Sequence, residues 1–264
     1  MTKSKKKIIL NIAIVCALLS LSGTLFVGVR RIQTQNVYES MATLRAEQSI
    51  EETAEENTEK TSAEIQTTTI EEATTNTQYQ YKPNDNTKWL AINADYFGWI
   101  KVPGTNIDYP FVRSHDNKDY LTMDFNGNYS DAGTLFMDYR NLGNFIDKHT
   151  IIYGHYMKNK TLFHNLTLYH DRDYFEKNQI IEISGLYETK TYKIFSVYEI
   201  SVDDYAFTLD FNETITYEAY LENLIQLSLH KTDSEVSPNQ KLLTLVTCSY
   251  GVKNGRTIVH AIEM

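Results

Sequence analysis

From Asn86 onward the chain is a succession of short runs rich in β-branched and aromatic residues, each bounded by turn residues. The runs predict eight strands, at Tyr96 to Val102, Ile107 to Arg113, Thr134 to Tyr139, Thr150 to Tyr156, Ile180 to Ser184, Thr191 to Glu199, Lys241 to Cys248 and Thr257 to Ile262. Turn signals such as Pro103-Gly104 and Asn254-Gly255 separate them. Many short strands with few helices between them are typical of a barrel. We therefore expect a mainly β domain at residues 85–264, built as a closed or nearly closed barrel.

Two helical stretches interrupt the predicted strands. One runs from Leu162 to Phe175, and the other from Thr216 to His230. The second places apolar residues at helical spacing, namely Tyr217, Tyr220, Leu221, Leu224 and Ile225. Ser228 interrupts this stripe. We expect both helices to be peripheral, with the stripe packed on the barrel.

The N-terminus has the character of a membrane anchor. The segment from Ile8 to Val29 contains no charge and has about the length, ~20 residues, that a helix needs to cross a bilayer. Four lysines precede it and two arginines follow it, which favours a cytoplasmic N-terminus and an external body. We interpret residues 1–31 as a cytoplasmic tip and transmembrane signal-anchor. The alternatives are a cleaved secretory signal ending near Ser20-Leu21-Ser22 and a lipoprotein signal, which Val15 before Cys16 disfavours.

Residues 32–84 form the predicted connection between anchor and barrel. Nine glutamates lie between Glu47 and Glu72 among Thr, Ala and Asn, with few large apolar residues. Such a segment buries too little surface to offset its ordering entropy. We interpret it as a self-repelling acidic stalk, with a partly helical acidic stretch as the alternative. The net charge of −9 and the lack of a basic cluster beyond the N-terminus disfavour nucleic acid as a partner.

The chain has two cysteines, Cys16 and Cys248, in very different surroundings. Their separation argues against a disulfide framework and excludes a paired-cysteine zinc site. Cys248 ends an apolar run, TLVTC, and has two interpretations: a small buried hydrophobe, or a nucleophile. A thiol with a reference pKa of ~8.5 is mostly protonated at neutral pH, so the second interpretation requires a nearby base and an anion stabiliser.

His155 and Arg256 are the candidates for these two roles. His155 follows an apolar strand and a glycine in IIYGHYM, and a structural role for it is the alternative. Arg256 opens the last strand, where its guanidinium is a permanent donor for a developing oxyanion; the alternative is a charge at a strand edge. A tight turn at Asn254-Gly255 would leave Cys248 too far from Arg256. The catalytic interpretation therefore requires a wide loop from Ser249 to Gly255 that places the two residues opposite each other.

These residues carry a resemblance to the sortase family. TLVTC resembles the TLxTC signature of sortases, with Cys248 as its cysteine, and His155 and Arg256 occur in the family's chain order. DYFGWIKVPGTNIDYPFV, DNKDYL, GTLFMDYRN and YGHYM, together with the helix ahead of the cysteine strand, resemble class B. The resemblance implies a sortase-type barrel with those three residues as the catalytic set. It also implies that Asn117, Leu121, Val246 and Ser249 line the substrate groove, and it implies no cofactor and no metal, since no acidic cluster suggests a calcium site.

What the resemblance implies for function is cysteine transpeptidation at the cell envelope of a Gram-positive bacterium. The enzyme would cleave a secreted protein after the threonine of a C-terminal NPxTN-like sorting signal. It would then join the protein, through a thioacyl intermediate, to an amine of a peptidoglycan cross-bridge or of its lipid-linked precursor, lipid II. The alternatives are a pilus-assembling sortase, a cysteine peptidase that releases the acid to water, and a non-enzymatic, membrane-tethered β-barrel that binds a ligand.

Overall fold

The computed structural model describes residues 36–37, 39–45, 87–201, 203, 207–212, 215–248 and 254–264. The chain divides into two compact units, residues 1–50 and 51–264, and the described residues of the first unit are helical. The predicted membrane segment, most of the predicted stalk and both predicted domain boundaries lie outside the described residues. Among the residues that are described, no helix has both the length and the apolar character needed to cross a bilayer.

The described part of the second unit contains eight strands that close into a barrel, which confirms the predicted fold. The strands are β1 (Tyr96–Lys101), β2 (Asp108–Val112), β3 (Leu135–Met137), β4 (His149–Tyr153), β5 (Ile180–Gly185), β6 (Thr189–Ser201), β7 (Leu242–Cys248) and β8 (Gly255–Glu263). Their order around the barrel is β1-β2-β3-β4-β7-β8-β6-β5. Each observed strand overlaps a predicted one, with β3 shorter and β6 longer than expected.

The pairing in the barrel is antiparallel except at β2–β3 and β4–β7, which are parallel. Strand β7 therefore lies between a parallel neighbour, β4, and an antiparallel one, β8. Each residue from Leu242 to Thr247 is buried, so both faces of the strand are covered. This double burial explains why β7 is encoded as a nearly continuous apolar run rather than as an alternating one.

Two short helices differ from the prediction. Helix α1 (Thr87–Ile92) was not predicted, and its Trp89 is fully buried with its ring 5.0 Å from that of Trp99. The single helix expected from Leu162 to Phe175 is instead a 3-10 helix, Phe163–His170, followed by α2 (Arg172–Lys177). The interruption is Asp171, whose extended backbone ends the first helix and whose side chain accepts a hydrogen bond from Tyr174 N to begin the second.

Helix α3 (Tyr217–Leu227) lies on the barrel as the apolar stripe predicted. Thr216 caps it by accepting from Ala219 N, and four residues of the stripe are buried: Tyr217, Tyr220, Leu221 and Leu224. These pack with residues of β6, β7 and β8 that point out of the barrel, namely Phe195, Tyr198, Leu242, Ile258 and Ile262. The prediction was wrong for Ile225, which is 43% exposed because it lies at the edge of the stripe. Ser228 ends the helix and accepts from Val197 N of β6.

Candidate active site

The candidate residues lie at or next to one end of three adjacent strands, β4, β7 and β8. Side chains alternate between the two faces of a strand, so Thr244 and Val246 of β7 share the face that Leu242 presents to α3, and Cys248 is the last residue of the strand. Helix α3 covers the Leu242 end of this face. Cys248 and the first residues of β8 lie at the opposite end of the strands.

The register of β7 and β8 places Cys248 directly opposite Arg256. Seven residues, 249–255, connect the two partners, so the pairing that the catalytic interpretation requires is present. The structure describes Cys248 through its backbone, and the intervening residues 249–253 lie outside the described residues. Paired residues of neighbouring strands have Cα atoms about 5 Å apart, which brings the guanidinium-bearing residue next to the cysteine.

The register of β4 and β7 brings His155 to the same place from the other side. The two strands pair in parallel up to Tyr153 and Val246, and Gly154 N then donates to Val246 O at 3.0 Å, one residue beyond the last pair. Continuing this register by two residues puts His155 beside Cys248. Because neighbouring strands are about 5 Å apart, this continuation would set all three candidates within a strip about 10 Å wide across β4, β7 and β8.

The ring of His155 is held by a backbone carbonyl. Its Nε2 lies 2.8 Å from Leu121 O, and a carbonyl only accepts, so Nε2 carries the proton of this hydrogen bond. Leu121 ends a 3-10 helix, Asp119–Leu121. Gly133 packs against its carbonyl with φ +60°, and a Cβ there would be 2.8 Å from Leu121 O and 2.3 Å from Tyr120 O. Only glycine allows this close approach.

Arg256 is partly buried, and its Nη1 donates to Gly255 O at 2.9 Å. Its backbone pairs with Cys248 on one side and with Ile200 of β6 on the other. This position inside a three-strand ladder fixes the start of the side chain. A guanidinium has five donors, so further N–H groups are available for a substrate oxygen.

The four predicted groove residues have different surroundings. The amide of Asn117 is engaged on both sides: Nδ2 donates to Asp138 at 3.1 Å, and Oδ1 accepts from Tyr139 N at 3.0 Å. Leu121 is 38% exposed, whereas Val246 is 4% exposed. Ser249 lies outside the described residues. The contacts of these residues with a substrate stay a prediction.

Sequence reasoning missed a buried carboxylate, Asp138, which contacts Tyr153 two residues before His155. Asp138 follows β3, and its fully buried side chain accepts five hydrogen bonds, from Arg140 N, Nε and Nη2, Tyr153 OH and Asn117 Nδ2. Burial raises the pKa of Asp138, but the hydrogen bonds from Arg140 outweigh it and hold the pKa below its ordinary value. Burial and the Asp138 charge raise the pKa of Tyr153, so its hydroxyl stays a donor. The signal in the sequence was an acid between an apolar strand and an arginine, in MDYR.

A second polar group is buried farther along the same outer face. His149 Nδ1 lies 2.7 Å from Thr208 O and Nε2 2.7 Å from Thr244 Oγ1, which in turn lies 2.7 Å from His260 Nδ1. Tyr198 OH contacts His260 Nε2 at 2.9 Å. Burial lowers the pKa of His149 to about 4 and lowers that of His260 as well, so both rings are neutral. This chain of hydrogen bonds links β4, β6, β7 and β8 to the segment that contains Thr208.

Residues 207–212 lie on the outer face beside His149 and α3. The ring of Phe207 lies 6.3 Å from that of Tyr153 and 6.4 Å from that of His149, edge-on to both. The hydrogen bond from His149 to Thr208 O fixes the backbone next to Phe207. Phe207 and Thr208 therefore pack on His149 and Tyr153, and Tyr153 precedes His155 by two residues.

His115, Asp116 and Asp119 form a surface cluster, with donor atoms within 4.8 Å of one another. His115 is exposed and pairs with Asp119 at 3.7 Å. The Asp116 carboxylate accepts from Lys118 N and Asp119 N, which holds its pKa below the ordinary value. These contacts explain the cluster as the start of the 3-10 helix that ends at Leu121.

Comparison with known proteins identifies the family of this chain. The model of the sortase domain matches residues 100–264. The chain belongs to the sortase family. It is 37% identical over 157 residues to Sortase B of Listeria monocytogenes, across 60% of this chain and 64% of that protein. It is 33% identical over 172 residues to Sortase B of Staphylococcus aureus, across 64% of this chain and 70% of that protein.

The fold agrees with this assignment. A solved Staphylococcus aureus sortase B–substrate complex superposes with a TM-score of 0.64 at 32% identity, across 67% of this chain and 83% of that one. The resemblance to class B sortases, a family of cysteine transpeptidases, is thus confirmed. The match spans somewhat less than two thirds of the length of the Listeria relative.

Proposed function

We propose that this sortase cleaves secreted proteins after the threonine of an NPxTN-like C-terminal sorting signal and transfers them to a peptidoglycan amine. The observation that carries the proposal is the strand register: Cys248 pairs with Arg256, and β4 pairs with β7 up to Tyr153, two residues before His155. The sortase B–substrate complex of the Staphylococcus aureus protein supports a substrate site on this fold.

In the first step, the Cys248 thiolate attacks the threonine carbonyl carbon. Arg256 donates to the carbonyl oxygen as it becomes negative, an effect typically equivalent to ~3 to 4 kcal/mol per donor. His155, as imidazolium, protonates the amide nitrogen, because an amine leaves readily only when it has gained a proton. The C–N bond breaks, the C-terminal fragment leaves as an amine, and the threonine is joined to Cys248 as a thioester.

In the second step, an amine replaces the thiolate. Its nitrogen attacks the thioester carbonyl, neutral His155 takes the proton that the nitrogen loses, and the C–S bond breaks to release the thiolate. The new amide retains the free energy of the original peptide bond, so no nucleotide is consumed. The amine we propose belongs to a peptidoglycan cross-bridge or to lipid II.

We place the enzyme at the cell membrane, spanning it once through residues 8–29 with the catalytic barrel outside. The support is the uncharged N-terminal segment with its preceding lysines, and the acidic stretch after it is suited to a stalk. A membrane-anchored enzyme meets sorting signals as they leave the membrane and lipid-linked wall precursors at the same surface.

The test is a ligation assay with a fluorogenic NPxTN-type peptide, in the presence and absence of triglycine or diaminopimelate. We expect cleavage and an amine-dependent ligated product. Cys248→Ala should abolish turnover, and His155→Ala and Arg256→Ala should each lower it by orders of magnitude. The matched control for Arg256, Arg172→Ala, removes a surface arginine and should retain activity.

Two of the alternatives predict different results, one in this assay and one in thiol labelling. Cleavage that yields only the free acid at every amine concentration would identify a cysteine peptidase. A Cys248 thiol that no methanethiosulfonate reagent modifies in the folded protein would favour the non-enzymatic binding barrel. Near-normal activity of Arg256→Ala would refute its oxyanion role.

A further inference from the structure

The Asp138 carboxylate connects the two parts of the chain that hold His155. The first part is the end of β4, where Tyr153 OH donates to Asp138 Oδ2 at 2.9 Å, two residues before His155. The second is the segment that ends at Leu121, where Asn117 Nδ2 donates to the same oxygen at 3.1 Å. One buried atom therefore fixes both the strand that carries the imidazole and the segment that supplies its carbonyl acceptor.

Few residues separate each contact of Asp138 from the imidazole of His155. Asn117 is also held by Tyr139 N, so it has little freedom to shift without breaking one of two hydrogen bonds. Four residues later, Leu121 O accepts from His155 Nε2 at 2.8 Å. A displacement of the Asn117 segment would move this carbonyl and with it the ring.

We propose that Asp138 is a positioning residue that fixes the orientation and the Nε2–H form of His155 through Tyr153 and Asn117. This inference rests on the proposed function, in which His155 is the general acid. Asp138 makes no hydrogen bond to His155 among those described, and it acts through these two neighbours and the Leu121 carbonyl.

A carboxylate is required because the site presents only donors. Oδ1 accepts from Arg140 N and Nε, at 3.0 and 2.8 Å, and Oδ2 accepts from Arg140 Nη2, Tyr153 and Asn117. Asparagine has nearly the same shape, but its NH₂ group would face donors in either orientation. Tyr153 OH can turn to accept, whereas Asn117 Nδ2 has no lone pair and must move. The substitution therefore loosens the support of Leu121 O without opening a cavity.

The experiment compares Asp138→Asn and Tyr153→Phe with the matched control Asp131→Asn, in the full-length chain in mild detergent. Asp131 also accepts from a tyrosine, Tyr129, at 2.7 Å, but both are exposed and neither contacts the site. We measure kcat and KM with the sorting peptide. We also record the ¹⁵N shifts of labelled histidine rings, assigning His155 by its loss in His155→Ala.

For Asp138→Asn we expect kcat to fall about 100-fold with KM changed less than about twofold, since misplacement of a reacting group by about 1 Å costs this much. Tyr153→Phe removes one of the two links, and we expect a kcat loss of about tenfold. In both variants the His155 signal should change from the Nε2–H form toward an average of the two tautomers. The control should match the wild type in both measurements.

Wild-type kcat in Asp138→Asn and Tyr153→Phe, or an unchanged Nε2–H signal in a variant that has lost activity, would overturn the proposal. A rise in KM alone would also overturn it, because it would assign these residues to substrate binding. If Asp138→Asn does not fold, Tyr153→Phe decides by the same criteria. If the wild type itself transfers no peptide, the proposed function fails, and the ring spectra still decide whether Asp138 positions His155.

Discussion

Replacing Thr244 with valine should destabilise the barrel through hydrogen bonding alone, because the two side chains have nearly the same shape. Thr208 O can only accept, so His149 carries its proton on Nδ1, and its neutral Nε2 accepts from the Thr244 hydroxyl. Because the Thr244 hydroxyl donates its only hydrogen to His149, its oxygen must accept from His260 Nδ1–H. His260 Nε2 in turn accepts from Tyr198 OH. One arrangement of protons satisfies every hydrogen bond from Thr208 O to Tyr198 OH, and Thr244 lies at the centre of this series.

The magnitude follows from what the substitution leaves behind. In Thr244→Val, Nε2 of His149 loses its donor and Nδ1–H of His260 loses its acceptor, and these residues are 1% and 0% exposed. Each unsatisfied buried group costs about 1 to 2 kcal/mol, so we expect a loss of about 2 to 4 kcal/mol in the free energy of unfolding. Thr247 is the matched control in the same strand. It is 1% exposed, and its hydroxyl has no hydrogen-bond partner among the described residues, so Thr247→Val should leave stability unchanged or raise it by about 1 kcal/mol.

Guanidinium unfolding followed by tryptophan fluorescence measures both variants. The chain has two tryptophans, Trp89 and Trp99, and both are in the core, so unfolding of the barrel changes their emission. Equal free energies of unfolding for Thr244→Val and Thr247→Val would refute the assigned hydrogen-bond chain. A lower free energy of unfolding in both variants would show instead that the threonines of β7 stabilise the strand by something other than this hydrogen-bond chain.

Two further predictions concern pH and the Leu121 carbonyl. The pKa of His149 in the folded state is about 4, below the ordinary value of 6.5, and that of His260 is also lowered, so the unfolded chain takes up protons first as the pH falls. The free energy of unfolding should therefore fall as pH drops from about 6.5 toward 4, by about 3 kcal/mol for His149 alone; a flat profile in denaturant titrations would contradict neutral buried rings. Gly133→Ala should lower peptide turnover far more than Gly127→Ala. Both glycines have positive φ, but a Cβ at Gly127 meets nothing within 4 Å, whereas at Gly133 it meets Leu121 O. Equal turnover in the two variants would argue against the role of this carbonyl.

The barrel could be predicted from sequence because its strands are short, β-branched and separated by strong turn signals. The pairing of Cys248 with Arg256 could also be predicted, because a joint catalytic role requires a connecting loop that sets the two residues opposite each other. Helix α1 was missed because TKWLAI is too short to show helical periodicity. The helix expected from Leu162 to Phe175 was divided by Asp171, because a capping side chain outweighed the local propensity there.

The polar contacts behind the site could not be predicted from one sequence. His149 and His260 are 111 residues apart and meet through Thr244, so their partners depend on the register of β4, β7 and β8. Asp138 and Tyr153 meet because of the register of β3 and β4. No local pattern around either histidine indicates this, and the structure shows that both are buried and hydrogen-bonded through both ring nitrogens.

The central claim is that strand register brings His155 next to Cys248, and disulfide trapping tests it most directly. In a Cys16→Ser background, His155→Cys would place two cysteines at neighbouring positions of parallel strands, with Cα atoms about 5 Å apart, within the range a disulfide bridges. We predict that mild oxidation of the folded protein joins residues 155 and 248 in most molecules, as read by mass spectrometry of the linked peptides. Two thiols that both stay reduced under native conditions, yet react with an alkylating reagent, would contradict the account.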